Sequence, residues 1–370
     1  MTYENLYIHV PFCRCKCDYC AFYSVTAATP ELVTNWLDRI IEQLEQIKQS
    51  EKLDTVFIGG GTPTSLDQNQ LSRLFSAVSK LTGRDTEITI ESNPETVTPE
   101  KIALFTEYVT RISMGVQSFN PELREALGRR CSNEAIDHAI NLIRSASKFQ
   151  FNIDLIYAIP GQTIEDWEND LRRVVDSGVN HVSCYSLSME EGTLLASRIK
   201  EASLVDDEMS VKMWNMAGEL LGNAGMPRYE ISNYADLQYQ CRHNRNIWYG
   251  GRYLGLGPAA SSFDGRNRWT QVPSITEWLK NKTPEMDIIT PQLRLNEIFS
   301  FGLRTVAGWD RTRWENLYSL KFCPQSWDVI QNRIKHLPVP VKGLFKTNDS
   351  QIRLTERGMK FWDLAAEALI

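Results

Sequence analysis

Two regular patterns of apolar and polar residues alternate over the first 225 residues and predict six strands and six helices. Short runs rich in Val, Ile, Tyr and Phe predict strands at 5–10, 54–60, 86–92, 111–118, 151–159 and 181–187. Apolar residues at spacings of three and four, as in Ile164, Trp167 and Leu171, predict the segments between them to be helices. These helices are 31–49, 67–82, 99–109, 133–147, 163–178 and 207–223.

The strict alternation of strand and helix predicts an α/β fold. Six such units with right-handed crossovers indicate a partial parallel (β/α)6 TIM-like barrel over residues 1–225. Residues 226–289 are expected to cap the barrel as a second layer against its mouth. Residues 290–370 are expected to form a small α+β appendage, in which two helical segments flank a short strand pair.

Composition narrows the class of protein. The 370 residues carry a formal net charge of -6, which argues against a nucleic-acid partner. The first residues do not resemble a signal peptide, and no run approaches the roughly 18 apolar residues of a membrane span. We therefore expect a cytoplasmic protein without an intrinsic membrane span.

Polar and Gly-rich motifs follow the ends of the predicted strands. Cys13 follows the first strand, and GGGTP, ESNP and GVQSF follow or end the next three. Because parallel barrels carry their active sites at the carboxyl ends of their strands, these motifs predict the reactive mouth.

Four of the eight cysteines lie within eight positions at this mouth. In a reducing compartment such a cluster indicates a metal or redox site rather than disulfides. Cys13, Cys17 and Cys20 form C-x3-C-x2-C, which leaves one position of an iron–sulfur cluster open for a ligand. Two other interpretations stay open, a zinc loop with Cys15 as fourth ligand and a set of redox thiols. The remaining cysteines are isolated in sequence and form no second zinc knuckle: Cys131, Cys184, Cys241 and Cys323.

The flanking residues make the pattern more specific. The stretches YIHVPFCRCKCDYCAF, GGGTPTSL, RISMGVQSF, NIDLIYAIPGQT, EEGT and CRHNRNIWYGG resemble the oxygen-independent coproporphyrinogen III oxidase-like family of the radical S-adenosylmethionine superfamily. Phe22 stands where the oxidases carry a further cysteine, and only twelve residues precede Cys13. The chain therefore resembles the haem chaperone branch, HemW, more than the oxidases. Its motif from His243 to Trp248 is similar to the H-N-x-x-Y-W motif of that branch, with Ile247 in place of Tyr.

The resemblance implies roles for individual residues. Cys13, Cys17 and Cys20 would hold a 4Fe-4S cluster, and His243 would bind haem, with Cys241 as a thiolate alternative. No residue is assigned a catalytic role. The positions that would contact S-adenosylmethionine are Tyr7, Tyr19, Gly60, Gly61, Thr62, Glu91, Gln117, Arg129 and Asp154. His9 is expected on the face of the first strand opposite Tyr7, without an assigned role.

Three functions follow from these observations. The first is a haem chaperone that carries the cluster and S-adenosylmethionine and passes haem to a haem-accepting protein. The second is oxidative decarboxylation of coproporphyrinogen III, and the third is an unrelated enzyme on a zinc-stabilised barrel. The resemblance also implies reductive cleavage of S-adenosylmethionine, with a flavodoxin- or ferredoxin-type reductant, and implies a winged-helix-like fold for the appendage.

Overall fold

The structure is a computed structural model and describes residues 3–48, 52–198, 206–316 and 327–370. Cys323 lies outside the described residues. The strands are β1 Asn5–Val10, β2 Phe12–Cys13, β3 Val25–Thr26, β4 Leu53–Gly60, β5 Thr82–Ser92, β6 Arg111–Gln117, β7 Gln150–Tyr157, β8 His181–Ser186, β9 Asn233–Ala235, β10 Tyr253–Leu256, β11 Ser261–Phe263, β12 Arg268–Thr270, β13 Glu285–Asp287, β14 Trp309–Asp310, β15 Phe345–Thr347 and β16 Gln351–Leu354.

Helices connect most of these strands. They are α1 Pro30–Gln46, α2 Gln68–Ser79, α3 Pro99–Tyr108, α4 Pro121–Ala126, α5 Asn133–Ser145, α6 Ile164–Asp176, α7 Leu194–Arg198, α8 Asp207–Asn223, α9 Arg242–Trp248, α10 Ile275–Leu279, α11 Pro291–Gly302, α12 Arg311–Trp314, α13 Trp327–Lys335, α14 Val339–Lys342, α15 Glu356–Lys360 and α16 Trp362–Glu367.

Helix starts follow local sequence signals. Thr98 and Ser132 accept hydrogen bonds from the backbone N–H groups at the starts of α3 and α5. Asp67 and Thr163 form capping boxes at α2 and α6, in which side chain and backbone satisfy each other. These caps set the residue at which each helix begins. They therefore also set the length of the loop that leads from the preceding strand to that helix.

One large sheet organises the molecule. Its strand order is β13-β12-β11-β10-β1-β4-β5-β6-β7-β8-β9, with β1 and β4 to β8 running parallel as predicted. Strand β10 also runs parallel beside β1. The sheet curves without closing, so the α/β partial-barrel prediction is confirmed.

The two faces of the parallel strands have opposite chemistry. One face carries apolar residues such as Ile8, Ile58 and Ile112, which are fully buried in the main core beneath the helices. The other face carries polar residues that hydrogen-bond across strands, as Thr55 Oγ1 does with Asn5 Oδ1 at 2.8 Å. We call this the polar face. Its side chains lie inside the partial barrel, and its upper end is the mouth.

The segment 226–289, which we expected as a layer against the mouth, contributes five strands to the large sheet. Strand β9 pairs antiparallel with β8, and β10 to β13 extend the sheet beyond β1, so the segment lengthens the sheet at both edges. The domain boundaries at 225 and 289 remain a prediction. Close to the C terminus, β14, β16 and β15 form a small sheet of three strands, one more than expected. Within the described parts of the chain, no helix is long and apolar enough to cross a membrane.

Candidate functional site

The loop that carries the cysteines is held in place at both ends. Strands β2 and β3 pair in parallel and close the loop at its base. The Asp18 N–H donates to Leu127 O at 3.0 Å, and Leu195 N–H donates to Asp18 O at 2.8 Å. The loop is therefore clamped between the end of α4 and the start of α7.

The three cysteines of the C-x3-C-x2-C motif differ from Cys15 in their surroundings. Cys13, Cys17 and Cys20 are half-buried, whereas Cys15 is exposed. The Cys13 thiol lies 3.6 Å from Thr62 Oγ1. Burial raises the pKa of Cys13 and of Cys20, so metal binding there would release protons. The half-buried trio is the set of donors that suits an inorganic centre, with Cys15 directed away from it.

These thiols are not arranged around a single ion. Among residues 3–48, 52–198, 206–316 and 327–370, no three His, Cys, Asp or Glu side chains lie close enough to hold one metal ion. A zinc site needs four donors about 2.0 to 2.3 Å from one ion. A 4Fe-4S cluster spreads its cysteines over separate irons, so the donors to a cluster do not share one ion.

The Gly-rich turn after β4 supports the cysteine loop from below. A Cβ on Gly61 would lie 2.8 Å from Phe12 O and 2.9 Å from Val10 O. Gly60 has a φ of +107°, and a Cβ there would lie 2.6 Å from the His9 ring. Only glycine fits such close approach. The close neighbours of these glycines are β1 and the residues that follow it, and contact of the glycines with S-adenosylmethionine stays a prediction.

Two carboxyl groups face each other at the mouth. Burial, with the nearby Asp154 second, raises the pKa of Glu91 to about 8. Burial also raises the pKa of Asp154, although Asn152 Nδ2 donates to it at 2.8 Å. Glu91 accepts a hydrogen bond from Gly60 N–H at 2.9 Å. The buried Arg111 lowers the pKa of both groups but does not offset burial, so the pair is suited to a positively charged ligand or to hydroxyl donors.

Arg129 and Gln117 lie on the same side of the mouth. Arg129 Nη1 approaches Cys17 Sγ at 3.7 Å, and its Nη2 donates to Gly115 O. Its Nε is buried and has no hydrogen-bond partner among the described residues. Gln117 ends β6 with a φ of +74° at a β-bulge, a strained conformation of the kind found at binding sites.

The loop after β6 is held by a buried carboxylate that the sequence analysis did not single out. Asp170 on α6 accepts hydrogen bonds from Ser118 Oγ at 2.6 Å and from Phe119 N–H at 2.7 Å. Burial raises the pKa of Asp170 to about 6. Ser118 and Phe119 come directly after Gln117, so Asp170 supports the backbone next to Gln117. In the sequence, Asp170 is one of several acidic residues in a predicted helix, and nothing there indicates that it is buried.

The aromatic residues next to the cluster loop occupy two environments. Tyr7 Oη lies 3.0 Å from His9 Nδ1, and His9 Nε2 lies 2.9 Å from Tyr23 O. His9 therefore shares a face with Tyr7, and our expectation of the opposite face was wrong, because residues two apart in a strand point the same way. Tyr19 packs against the small apolar cluster Leu123, Leu127, Ile156, Ile159 and Leu195.

His243 lies at the other end of the polar face. Its side chain is buried, its Nδ1 is 2.6 Å from Thr55 Oγ1, and its ring lies 5.1 Å from that of Phe57. Burial lowers the pKa of His243 to about 3, so the imidazole is neutral. The proposed role of His243 in binding haem stays a prediction. Cys241 is fully buried, and burial raises its pKa to about 12.

A chain of hydrogen bonds runs along the polar face from the mouth to the start of α9. Asn152 bonds to Asp154 at 2.8 Å and to His181 Nδ1 at 2.6 Å. His181 Nε2 lies 2.8 Å from Tyr229 Oη, which accepts from Cys241 N–H at 3.2 Å. This chain was not predicted, because Asn152, Asp154 and His181 are polar residues inside strands whose pattern otherwise predicts burial.

Comparisons with known proteins agree with this geometry. Residues 7–174 match the model of the Radical SAM superfamily. The haem chaperone HemW of Lactococcus lactis is 30% identical over 366 residues, which cover 96% of this chain and 94% of that protein. HemW of Synechocystis is 33% identical over 333 residues, which cover 85% of this chain and 80% of that protein.

The fold has a close counterpart among solved structures. Coproporphyrinogen III oxidase (HemN) from Escherichia coli, a radical SAM enzyme, superposes with a TM-score of 0.83 over 99% of this chain and 89% of its own. The two sequences are 22% identical, so this likeness bears on the fold alone.

Proposed function

Because the chain belongs to the HemW family within the radical SAM superfamily, we propose that it is a haem chaperone that binds a 4Fe-4S cluster and S-adenosylmethionine and delivers haem to haem proteins. The observation that carries this proposal is the match to HemW over 94% of the relative's length. The half-buried trio of cysteines at the mouth supports it.

The cluster would be held by Cys13, Cys17 and Cys20. A reduced 4Fe-4S centre supplies one electron to a bound sulfonium when both cofactors are present. The protein's own part is positional. Thr62 and Arg129 lie against two of the thiols, and the clamp on Asp18 holds the loop over the mouth.

S-adenosylmethionine would lie between the cluster loop and the carboxyl groups. Glu91 and Asp154 would face its positive charge, and ionisation of Glu91 would accompany binding. The guanidinium of Arg129 would pair with the carboxylate of the ligand. The glycine turn, with Thr62 and Gln117, would shape the site, and Tyr7 and Tyr19 would flank it.

The proposed partners are haem, a haem-accepting protein and a one-electron reductant of the flavodoxin or ferredoxin type. Decarboxylation of coproporphyrinogen III is the competing function, and likeness to the oxidase in fold alone does not favour it. The zinc-stabilised barrel is not retained, because the chain belongs to the radical SAM superfamily.

The test uses protein reconstituted without oxygen. We expect close to four iron and four sulfide per chain, a Soret shift on titration with haem, and no decarboxylated product from coproporphyrinogen III. His243→Ala tests the predicted axial ligand by loss of that shift. Product formation from coproporphyrinogen III would overturn the chaperone proposal in favour of the oxidase, and protein without iron or sulfide would overturn both.

A further inference from the structure

His9 is a buried histidine on β1, only 3% exposed, beside the residues of the mouth. Each of its ring nitrogens makes a hydrogen bond. Nδ1 lies 3.0 Å from Tyr7 Oη, and Nε2 lies 2.9 Å from the backbone carbonyl oxygen of Tyr23. Tyr23 comes three residues after Cys20, so His9 links Tyr7 to the segment that leaves the cysteine loop.

The two partners of His9 determine which ring nitrogen carries the proton. A carbonyl oxygen accepts hydrogen bonds and cannot donate them, so Nε2 is the protonated nitrogen that donates to Tyr23 O. Burial lowers the pKa of His9, so the imidazole is neutral and carries no second proton. Nδ1 is consequently an acceptor, and the Tyr7 hydroxyl donates to it.

The residues around His9 pack closely against it. A Cβ on Gly60 would lie 2.6 Å from the His9 ring, and a Cβ on Gly257 would lie 3.3 Å from His9 Cβ. The ring centroid of Tyr23 lies 6.4 Å from that of His9. Close packing leaves a buried side chain few alternative rotamers, so the imidazole is held in the orientation that serves both hydrogen bonds.

The direction of the bond from Tyr7 to His9 decides how Tyr7 can meet a ligand. A phenol has one proton, and once that proton is donated to His9 the oxygen can only accept further hydrogen bonds. Burial and the nearby charge of Glu91 raise the pKa of Tyr7, so the hydroxyl keeps its proton. Glu91 accepts from Gly60 N–H, and among the described residues no hydrogen bond joins it to Tyr7. Tyr7 therefore directs its proton to His9 and not to the carboxyl group beside it.

We propose that His9 is a positioning residue for S-adenosylmethionine, which holds the Tyr7 hydroxyl proton so that the Tyr7 oxygen meets the cationic part of the ligand as an acceptor. The inference rests on the proposed binding of S-adenosylmethionine. A cation is attracted to oxygen lone pairs and is repelled by an O–H that points towards it. Because the bond to His9 exists before the ligand arrives, the hydroxyl needs no reorientation on binding.

The first test determines the tautomer of His9 without a ligand. The full-length protein is labelled with ¹⁵N-histidine and reconstituted with its cluster oxidised, and histidine ¹H–¹⁵N spectra identify the protonated nitrogen of each ring. The chain has five histidines, and the signal that is missing in a His9 variant belongs to His9. We expect protonation on Nε2 alone at neutral pH. Protonation of His9 on Nδ1, or on both nitrogens, would overturn the proposal.

The second test compares two variants that each keep one of the two hydrogen bonds. His9→Asn places an amide oxygen near the position of Nδ1, so Tyr7 keeps its acceptor and S-adenosylmethionine affinity should stay within about threefold of wild type. His9→Gln places an N–H near the position of Nε2 but leaves Tyr7 without an acceptor at Nδ1, and affinity should fall about tenfold. Calorimetry measures the affinities.

Tyr7→Phe and His138→Gln are the controls. In a Tyr7→Phe background there is no hydroxyl to orient, so His9→Gln should cause no further loss of affinity, whereas a general loss of support would persist. His138 is exposed on α5, and His138→Gln should bind as wild type. All variants should keep the wild-type iron and sulfide content, since none replaces a cysteine.

The outcomes separate this inference from the proposed function. Wild-type affinity in His9→Gln, or an equal loss with and without the Tyr7 hydroxyl, would overturn the positioning role and leave the proposed function in place. Failure of the wild type to bind S-adenosylmethionine at all would overturn the proposed function instead.

Discussion

At the scale of single residues, exposure separates cysteines that the sequence places side by side. Cys15 lies between Cys13 and Cys17 in sequence but is exposed, whereas its neighbours are half-buried. The three half-buried residues also differ in their contacts, since Thr62 touches Cys13 and Arg129 approaches Cys17. The spacing C-x3-C-x2-C predicts Cys13, Cys17 and Cys20 as the ligands, and their half-buried positions agree with that prediction, which stays untested.

Replacing each cysteine singly by alanine tests this assignment. We expect the Ala variants of Cys13, Cys17 and Cys20 to lose most of their iron and sulfide after reconstitution, because a cluster with two protein ligands is poorly retained. Cys15→Ala is the matched control and should keep the wild-type iron content. Iron and sulfide analysis measures both, and a Cys15→Ala protein without iron would show that the trio was chosen wrongly.

The paired carboxyl groups predict a pH dependence for ligand binding. With a pKa of about 8 in the free protein, Glu91 is mostly protonated at pH 7. A cationic ligand favours its ionised form, so binding at pH 7 should release a proton and affinity should rise between about pH 6 and 8. Calorimetry of S-adenosylmethionine binding in buffers with different ionisation heats measures the release.

Two variants complete this experiment. Glu91→Gln cannot ionise and should abolish the proton release. Glu95→Gln, at an exposed position just beyond the same strand, should behave as wild type. Proton release that persists undiminished in Glu91→Gln would assign it to another group.

At the scale of elements, helix α6 supports a loop that belongs to the neighbouring strand–helix unit. Asp170 on this helix holds the backbone at Phe119 and the side chain of Ser118. The preceding residue, Gln117, is in a strained conformation that needs such support. The helix of one strand–helix unit thus holds the loop of the unit before it. The conformation of Gln117 at the mouth depends on both units.

Asp170→Ala should cost about 2 to 5 kcal/mol of unfolding free energy, because it leaves two buried groups without an acceptor. It should also weaken S-adenosylmethionine binding, since Gln117 loses its support. Asp176→Ala, at an exposed position at the end of the same helix, should change stability by less than about 0.5 kcal/mol. Denaturant titration and ligand titration measure the two effects, and equal stability of the two variants would contradict the supporting role.

At the scale of the whole molecule, the parallel sheet separates two regions of different chemistry. The cysteine loop and the paired carboxyls lie at the carboxyl ends of the strands. Helix α9, which carries His243, lies at the opposite ends, beside Asn5 and Thr55. Both regions are carried by the same strands, so the fold holds them apart at a fixed distance.

This separation predicts that the two proposed ligands bind independently in the absence of a conformational change. The triple variant Cys13→Ala, Cys17→Ala, Cys20→Ala should lack iron yet bind haem within about twofold of wild type, because sites this far apart without shared contacts act additively. A Soret titration measures the affinity. Loss of haem binding in a triple variant that keeps its wild-type circular dichroism would show that haem is held at the cluster end.

The sequence by itself determined the elements and the cluster loop. Apolar periodicity marked the six parallel strands and their helices, since burial imposes a period of two on strands and of 3.6 on helices. Cap residues such as Thr98 and Ser132 marked helix starts, because they act on backbone within three residues. These effects act between residues that are close in sequence, so the sequence alone is enough to predict them.

Only the tertiary structure decided what the polar residues inside the strands do. The bonds from Asn152 through His181 to Tyr229 join residues 29 and 48 positions apart, and the Asp170 carboxyl on α6 meets Ser118 from 52 positions away. The place of segment 226–289 at both edges of the sheet also depended on pairing with distant strands. The spacing of residues along the chain does not show which distant residues come together in space. These contacts are therefore known only from the tertiary structure.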